Sequence, residues 1–451
     1  MRKILIVLAL ALLAGAALAQ QTDIRVIAFA QGFAWPDLFG STGTEKTERL
    51  LAFEEQENIN VTIEWGDETA VRQKVLTDLI SGAGRYDVIL LGSDGAVQTY
   101  GYSGFLEPLD GYLATGDLDQ YITLSDLYPQ FLTANTVDGN LYGLSYYSFG
   151  PGIIYRTDLF DRYGIEVPTT TDELSTALEQ LKTGFEADGI TDIYPLTMRG
   201  APGEEPSLDL TGFVYAYAGY PAWFEGGVTT PEEIRSTRAK PIFTGDFRAG
   251  FESFVNLSRE YGPPGIATHT WVDMMNLYSQ GRAAVLLPSA INGYAAITST
   301  ENELVRDNSA FAPIVTGPSG KPIQSFWTFS LGVPASSKNK AEAVKVLALL
   351  TGNRSMQAFA DQTQWPSVTI PSVMHSETLV NRWGSDEIDL NEAAIQASDP
   401  YYFPYIPELA EFMDKIGTAA SKAITSGDVD SALNELQVWA LERMTTAGYY
   451  R

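Results

Sequence analysis

No cysteine occurs anywhere in the 451 residues. Disulfides, thiolate metal sites and a lipid-bearing cysteine are thereby excluded. Histidine is nearly as scarce: His269 and His375 are the only two and lie far apart in the chain. A histidine-based catalytic or zinc site is therefore not expected, and no metal or cofactor is assigned. Basic residues number 29 against 56 acidic ones, a formal charge of −27. Phosphate contacts need Lys and Arg, so nucleic acid is not expected as a partner. Beyond the amino-terminal segment, no apolar run reaches the ~18 residues of a membrane span. Internal repeats and low-complexity tracts are also missing. What is present, 45% hydrophobic residues with 12% aromatics, is the composition of a globular protein. At this length one ordinary core does not suffice, and two lobes are expected.

The first residues carry an address. Arg2 and Lys3 precede an apolar run from Ile4 to Ala16, followed by Ala17-Leu18-Ala19. This is the pattern of a secretory signal peptide over residues 1–19, cut before Gln20. A mature protein in the periplasm or another extracytoplasmic space is expected.

The order of elements reads as α/β. A strand is expected from Ile24 to Ala30 and helical character from Thr44 to Glu57. In "NVTIEWG", Val61, Ile63 and Trp65 alternate as in a half-buried strand. Val71, Val75 and Leu79 share one helix face, and the run "YDVILLGSDG" suits a parallel strand covered on both sides. This β-α-β-α-β order indicates an open α/β sheet, whose ligands bind at the carboxyl ends of the strands. From Gly152 the pattern starts again. Ile153 to Tyr155 is a strand, Thr157 a candidate cap, and Gly164 closes a short helix. Thr170 to Glu173 fits a capping box, followed by an apolar stripe of Leu174, Ala177, Leu178, Leu181 and Phe185. A second α/β lobe is expected here.

The stretch "IYRTDLFDRYGIEVPTTTDEL" resembles a characteristic passage of the extracellular solute-binding proteins, the sugar-binding family that serves ABC importers. Three further passages are similar to that family in the same order: "DLISGAGRYDVILLGSDG…GFLEPLDGYL", "TWVDMMNLYSQGRAAVLLPSAIN" and "FWTFSLGVPASSKNKAEAVKVLALLT". Together they span roughly residues 22 to 355. The sequence departs from the pattern at Thr171, where tryptophan is usual, at Tyr86, where proline is usual, and at Ile291-Asn292, where an aromatic often stands.

The resemblance implies a maltose-binding-type (type II) fold, two α/β lobes joined by hinge crossings with the ligand between them. It implies lobe one at 22–145 and 289–327, lobe two at 150–285 and 332–451, and crossings near 146–150, 287–289 and 330–333. It further implies a monomer that binds a carbohydrate and delivers it to the membrane permease subunits of an ABC importer, without catalysis.

Sugars present flat CH faces and many hydroxyls, which call for aromatic platforms beside carboxylates and amides. Trp35 and Asp37 follow the first strand, and Ser93 and Asp94 the third. Tyr146 and Tyr147 lie at the first crossing, Asn292 ends the second crossing strand, and Trp327 stands at the third. Trp271 begins a helix, and Trp365 precedes Pro366. The resemblance places Asp209 in a loop over the ligand. Trp65, Trp383, Trp439 and Tyr155 read as packing residues. Two other readings stay open: a receptor of the same fold for a non-sugar solute such as a polyamine or organic anion, and a secreted glycoside hydrolase. Hydrolysis needs two carboxyls ~5–5.5 or ~6.5–9.5 Å apart, and no strand-end pair of acids stands out.

Overall fold

The computed structural model describes residues 21–29, 35–92, 95–323 and 326–450. Among the described residues there are eleven strands: Thr22–Phe29 (β1), Ile59–Gly66 (β2), Val88–Leu91 (β3), Thr136–Val137 (β4), Asn140–Leu141 (β5), Gly143–Phe149 (β6), Pro151–Arg156 (β7), Tyr194–Thr197 (β8), Ala283–Ala290 (β9), Ser309–Pro313 (β10) and Trp327–Gly332 (β11). Five form one sheet in the order β2-β1-β3-β11-β6, four form a second in the order β10-β7-β9-β8, and β4 pairs with β5 in a small hairpin.

In the first sheet β1 runs parallel to β2 and β3, and β11 runs antiparallel to both β3 and β6. All four residues of β3 are buried. Apolarity on both faces of that strand answers helices on both faces of the sheet. Helix Lys340–Thr351 packs against β6, β1 and β3, and helix Glu68–Ser81 covers β1 and β3. In the second sheet β8 is parallel to β9, while β7 is antiparallel to β9 and β10.

The passage from Gly152 folds as its pattern requires. Thr170 accepts from the Glu173 amide while the Glu173 side chain takes the amide of Thr170, a complete capping box. The stripe from Leu174 to Phe185 is buried throughout, and the helix Thr171–Asp188 stops at Gly189 with φ 69°. Gly164 likewise ends helix Thr157–Tyr163 in the left-handed region. Thr157 is the first helical residue rather than the cap; Arg156 holds the capping position, and its guanidinium donates to Asp158 at 2.6 and 2.7 Å.

The chain passes between the sheets at Gly150, between β6 and β7. A Cβ there would lie 2.5 Å from the Cβ of Ala394 and 2.9 Å from the carbonyl oxygen of Asn391. The Gly150 amide donates to Asn391 Oδ1 at 3.2 Å. Only glycine fits this close approach.

The second and third boundaries differ from expectation. Leu287–Ser289 lies inside β9, and both β9 and β10 belong to the second sheet, so residues 289–313 do not join lobe one. The strand after that, β11, sits in the middle of the first sheet, and helix Lys340–Thr351 packs under it. The apolar run Ala283–Leu287, buried throughout, reads the same in either sheet. Pairing partners far away in sequence decide its membership.

Candidate functional site

The topology brings one end of each sheet to a common junction. The carboxyl end of β6 leads through Gly150 into the start of β7, and β3 runs parallel to β6 because both oppose β11. The carboxyl ends of β8 and β9 lie at the start of β7, since β9 opposes β7 and β8 follows β9. Loops after β3, β6, β8 and β9, and the first residue of β11, thus converge. Crevices of this kind are where open α/β sheets hold ligands.

At the centre is a contact between the two lobes. Arg199, two residues beyond β8, carries its guanidinium carbon 5.0 Å from the centre of the Trp327 ring at the start of β11. Arg199 is held by Asp209, with Nε donating to Oδ2 at 2.6 Å and a second nitrogen donating to Oδ1. Arg199 is 5% exposed and Asp209 not at all. The bidentate geometry matches the planar guanidinium fork to a carboxylate. Asp209 projects from helix Glu204–Ala218; the loop expected around it is helical instead. Beside the pair lies Tyr402, fully buried, whose hydroxyl has no hydrogen-bond partner among the described residues. Burial, with Asp209 next, pushes its phenol well above the ordinary range.

A narrow cavity is lined by the residues on either side of Trp327 in the chain, Phe326 and Thr328, among others. The first lobe supplies Gly92, Gly95, Gln98, Thr328 and Ser330, and the carboxyl-terminal segment supplies Pro400, Phe403 and Tyr405. Thr328 donates to Ser145 Oγ at 2.8 Å, Ser145 lies 3.0 Å from Ser330, and Asn135 donates to Ser145 at 2.8 Å. These hydroxyls link β11 to β6, the two strands next to the crossing. The Tyr147 ring, on β6, lies 6.0 Å from that of Phe329 in a tilted pair and 5.9 Å from that of Phe359 edge-to-face. Burial raises the pKa of its phenol, and a hydrogen bond with Asn292 partly offsets this. Tyr147, expected at the first crossing, and Asn292, expected in lobe one, therefore meet.

Other expected residues lie elsewhere. Trp35 is not an exposed platform: it has no exposed surface, its Nε1 donates to the Leu350 carbonyl at 2.9 Å, and its ring packs 5.6 Å from Trp65 and 5.1 Å from Tyr146. A large ring next to a helix opened by Pro36 gains more from the core than from water. Tyr146 is 5% exposed and belongs to the same cluster. Asp37 forms an ion pair with Arg49, which also donates to Ser355 at 3.0 Å. Trp271 is half-buried as the first residue of helix Trp271–Ser279, and Trp365 is half-buried beyond helix Asn353–Thr363. Ser93 and Asp94 lie outside the described residues.

Sequence reasoning missed Arg199 and the segment Pro400–Tyr405. The second had a signal: "DPYYFPYIPE" packs four aromatics between prolines, an amphipathic composition suited to a binding surface. Arg199 had none, because one arginine after a strand is unremarkable until its partners are known. Outside the junction, donor atoms of His375, Asp389 and Glu392 lie within 4.8 Å of one another, with His375 bonded to Glu392 at 2.8 Å.

His269 sits next to the Arg199 loop, its carbonyl accepting from the amides of Gly200 and Ala201 at 3.0 Å. Burial depresses its imidazole, offset in part by Asp273, and Nδ1 is buried without a partner. The folded protein therefore holds it neutral, while the unfolded chain takes up a proton below about pH 6.5. Stability is lost as pH falls from that value towards the depressed folded one. His269→Gln should flatten the drop in Tm between neutral and mildly acidic buffer; an unchanged slope would remove His269 as its source.

The model of the family described as "bacterial extracellular solute-binding protein" matches residues 39–357. The mannitol-binding protein of Pseudomonas aeruginosa is 25% identical over 90% of this chain and 91% of its own length. The erythritol/L-threitol-binding protein of Mycolicibacterium smegmatis is 23% identical over 68% of this chain and 64% of its own. An ABC transporter solute-binding protein from Agrobacterium vitis, solved with bound D-mannitol, superposes with a TM-score of 0.74 at 23% identity, covering 95% of this chain and all of that one. Another from Agrobacterium radiobacter, in complex with ribitol, gives 0.76 at 19% identity over 94% and 98%. Two α/β lobes with hinge crossings are the fold of these structures, as the resemblance implied. Among the described residues no helix is long and apolar enough to cross a membrane. By the family match across most of its length, this chain belongs to the bacterial extracellular solute-binding proteins.

Proposed function

We propose that this chain is an exported receptor that holds a polyol or sugar at the junction of its two lobes and delivers it, as a monomer, to the permease of an ABC importer. The carrying observation is the junction itself: Gln98, Thr328 and Ser330 line one cavity with Pro400, Phe403 and Tyr405, Tyr147 bonds Asn292, and Arg199 of the second lobe lies over Trp327 of the first. Hydroxyls and amides both donate and accept, as a polyhydroxylated solute does. The names of the relatives, which bind mannitol, erythritol or threitol, support a polyol. The leader at residues 1–19 supplies export and is cut before Gln20.

The hydrolase reading is less well supported. Asp209, a carboxylate at the junction, is bonded to Arg199, whereas hydrolysis needs two carboxyls across the bond.

A thermal-shift screen of the mature protein with D-mannitol, ribitol, erythritol, maltose and spermidine tests the proposal. A ligand binding only the folded form contributes ~2.7 kcal/mol at one hundred times its Kd. A rise in Tm with the polyols is expected. A rise with spermidine alone overturns the polyol reading, and release of reducing ends from maltose overturns the non-catalytic one.

A further inference from the structure

We infer that helix Ser385–Ala397 is a brace between the lobes: through Asn391 and Glu392 it holds them in the arrangement that forms the junction, and so sets ligand affinity from outside the site. This rests on the receptor reading and adds positioning residues to it. The helix packs against β7 and β10 of the second lobe. Two passages of the chain between the lobes meet on it. The first is at Gly150. The last lies between helix Asn353–Thr363, which packs against helix Pro36–Phe39 of the first lobe, and the brace itself. Asn391 has no exposed surface and uses both ends of its amide on these passages. Its Oδ1 accepts from the Gly150 amide at 3.2 Å, and its Nδ2 donates to the Pro366 carbonyl at 2.9 Å. Ala394 and Ile395 occupy the space that a Cβ on Gly150 would need.

The brace also reaches the first lobe directly. Tyr128 precedes helix Pro129–Ala134, which packs on β6, and its hydroxyl donates to Glu392 Oε1 at 3.0 Å. The other oxygen of Glu392 lies 2.8 Å from His375 Nε2, so the carboxylate is held from two sides. Burial, with Glu392 next, pushes the Tyr128 phenol well above the ordinary range, and at neutral pH the hydroxyl stays a donor. Gln130 Nε2 donates to the Gln396 carbonyl at 3.0 Å, one of the last carbonyls of the helix, which lack a partner within it. A swing about Gly150 that parts Arg199 from Trp327 carries Tyr128 and Gln130 away from a helix that moves with the other lobe. A hydrogen bond of this length does not survive a separation of more than roughly half an ångström. The bonds therefore favour one lobe arrangement over the other. A ligand that needs this arrangement binds in proportion to the fraction of molecules that hold it.

The experiment titrates D-mannitol calorimetrically into the wild type, Tyr128→Phe and the double variant Tyr128→Phe/Gln130→Ala, with folding checked by circular dichroism. Tyr128→Phe removes one hydroxyl and keeps the ring. The double variant should bind about tenfold more weakly, a usual size for coupling between separate sites, and Tyr128→Phe alone by a smaller factor. Small-angle scattering of the ligand-free double variant should give a larger radius of gyration than the wild type. Asn391→Leu, which releases both passages, should weaken binding likewise; if it misfolds, the Tyr128 variants decide. Unchanged affinity in the folded double variant overturns the inference, even where resistance to urea has fallen, because the contact is then structural only. Wild type that binds no polyol or sugar overturns the receptor reading instead. The brace is then decided by scattering alone, and an unchanged radius overturns it.

Discussion

Replacing Asp209 with Ala should lower the unfolding free energy by about 3–5 kcal/mol, the usual cost of removing one partner of a buried ion pair. The loss comes less from the missing attraction than from the charge left behind. Arg199 is 5% exposed and its planar fork is filled by Asp209. Without that carboxylate the guanidinium stays desolvated and loses its bidentate acceptor. Removing both charges, as Arg199→Met with Asp209→Leu, should restore most of the stability, because apolar groups of similar volume carry no desolvation cost. Urea denaturation at neutral pH measures both. A loss below about 1 kcal/mol for Asp209→Ala would mean that water reaches the pair in solution.

The second large effect falls on Trp35. Trp35→Ala should cost about 3–5 kcal/mol, as large-to-small changes of buried aromatics do. The ring fills space between Trp65 and Tyr146, and its Nε1 satisfies the carbonyl of Leu350 on the helix beneath the first sheet. That carbonyl would lose its side-chain partner as the cavity opened. Trp35→Phe should lose less, keeping much of the packing but not the donor. Neither change should alter mannitol affinity of the folded protein. Urea melts together with calorimetric titration separate the two effects; weakened binding at unchanged stability would make Trp35 a ligand contact after all.

Trp35 and Trp327 show how far the linear pattern reached. Both are tryptophans at strand ends next to polar turns, and both were expected to face the ligand. Local chemistry was identical in kind. Trp35 is buried because Pro36 starts a short helix and Trp65 on β2 arrives 5.6 Å away. Trp327 meets Arg199 because β11 inserts between β3 and β6. The capping box at Thr170 and Glu173, by contrast, was legible in full, since its donors and acceptors lie three residues apart.

Several properties were determined by sequence alone. They are the α/β class, the helix starts and stops, the absence of any cysteine cross-link, the leader pattern and the family passages in their order. Each rests on interactions between near neighbours or on residue counts. Tertiary structure decided which sheet took β9 and β10, the burial of Trp35, and the meeting of Arg199, Asp209 and Trp327. Asp209 and Trp327 stand 118 positions apart by number, and nothing near either residue encodes the other. Their encounter follows from strand pairing and helix packing over long loops, where burial and charge pairing are satisfied by the whole fold rather than by any segment.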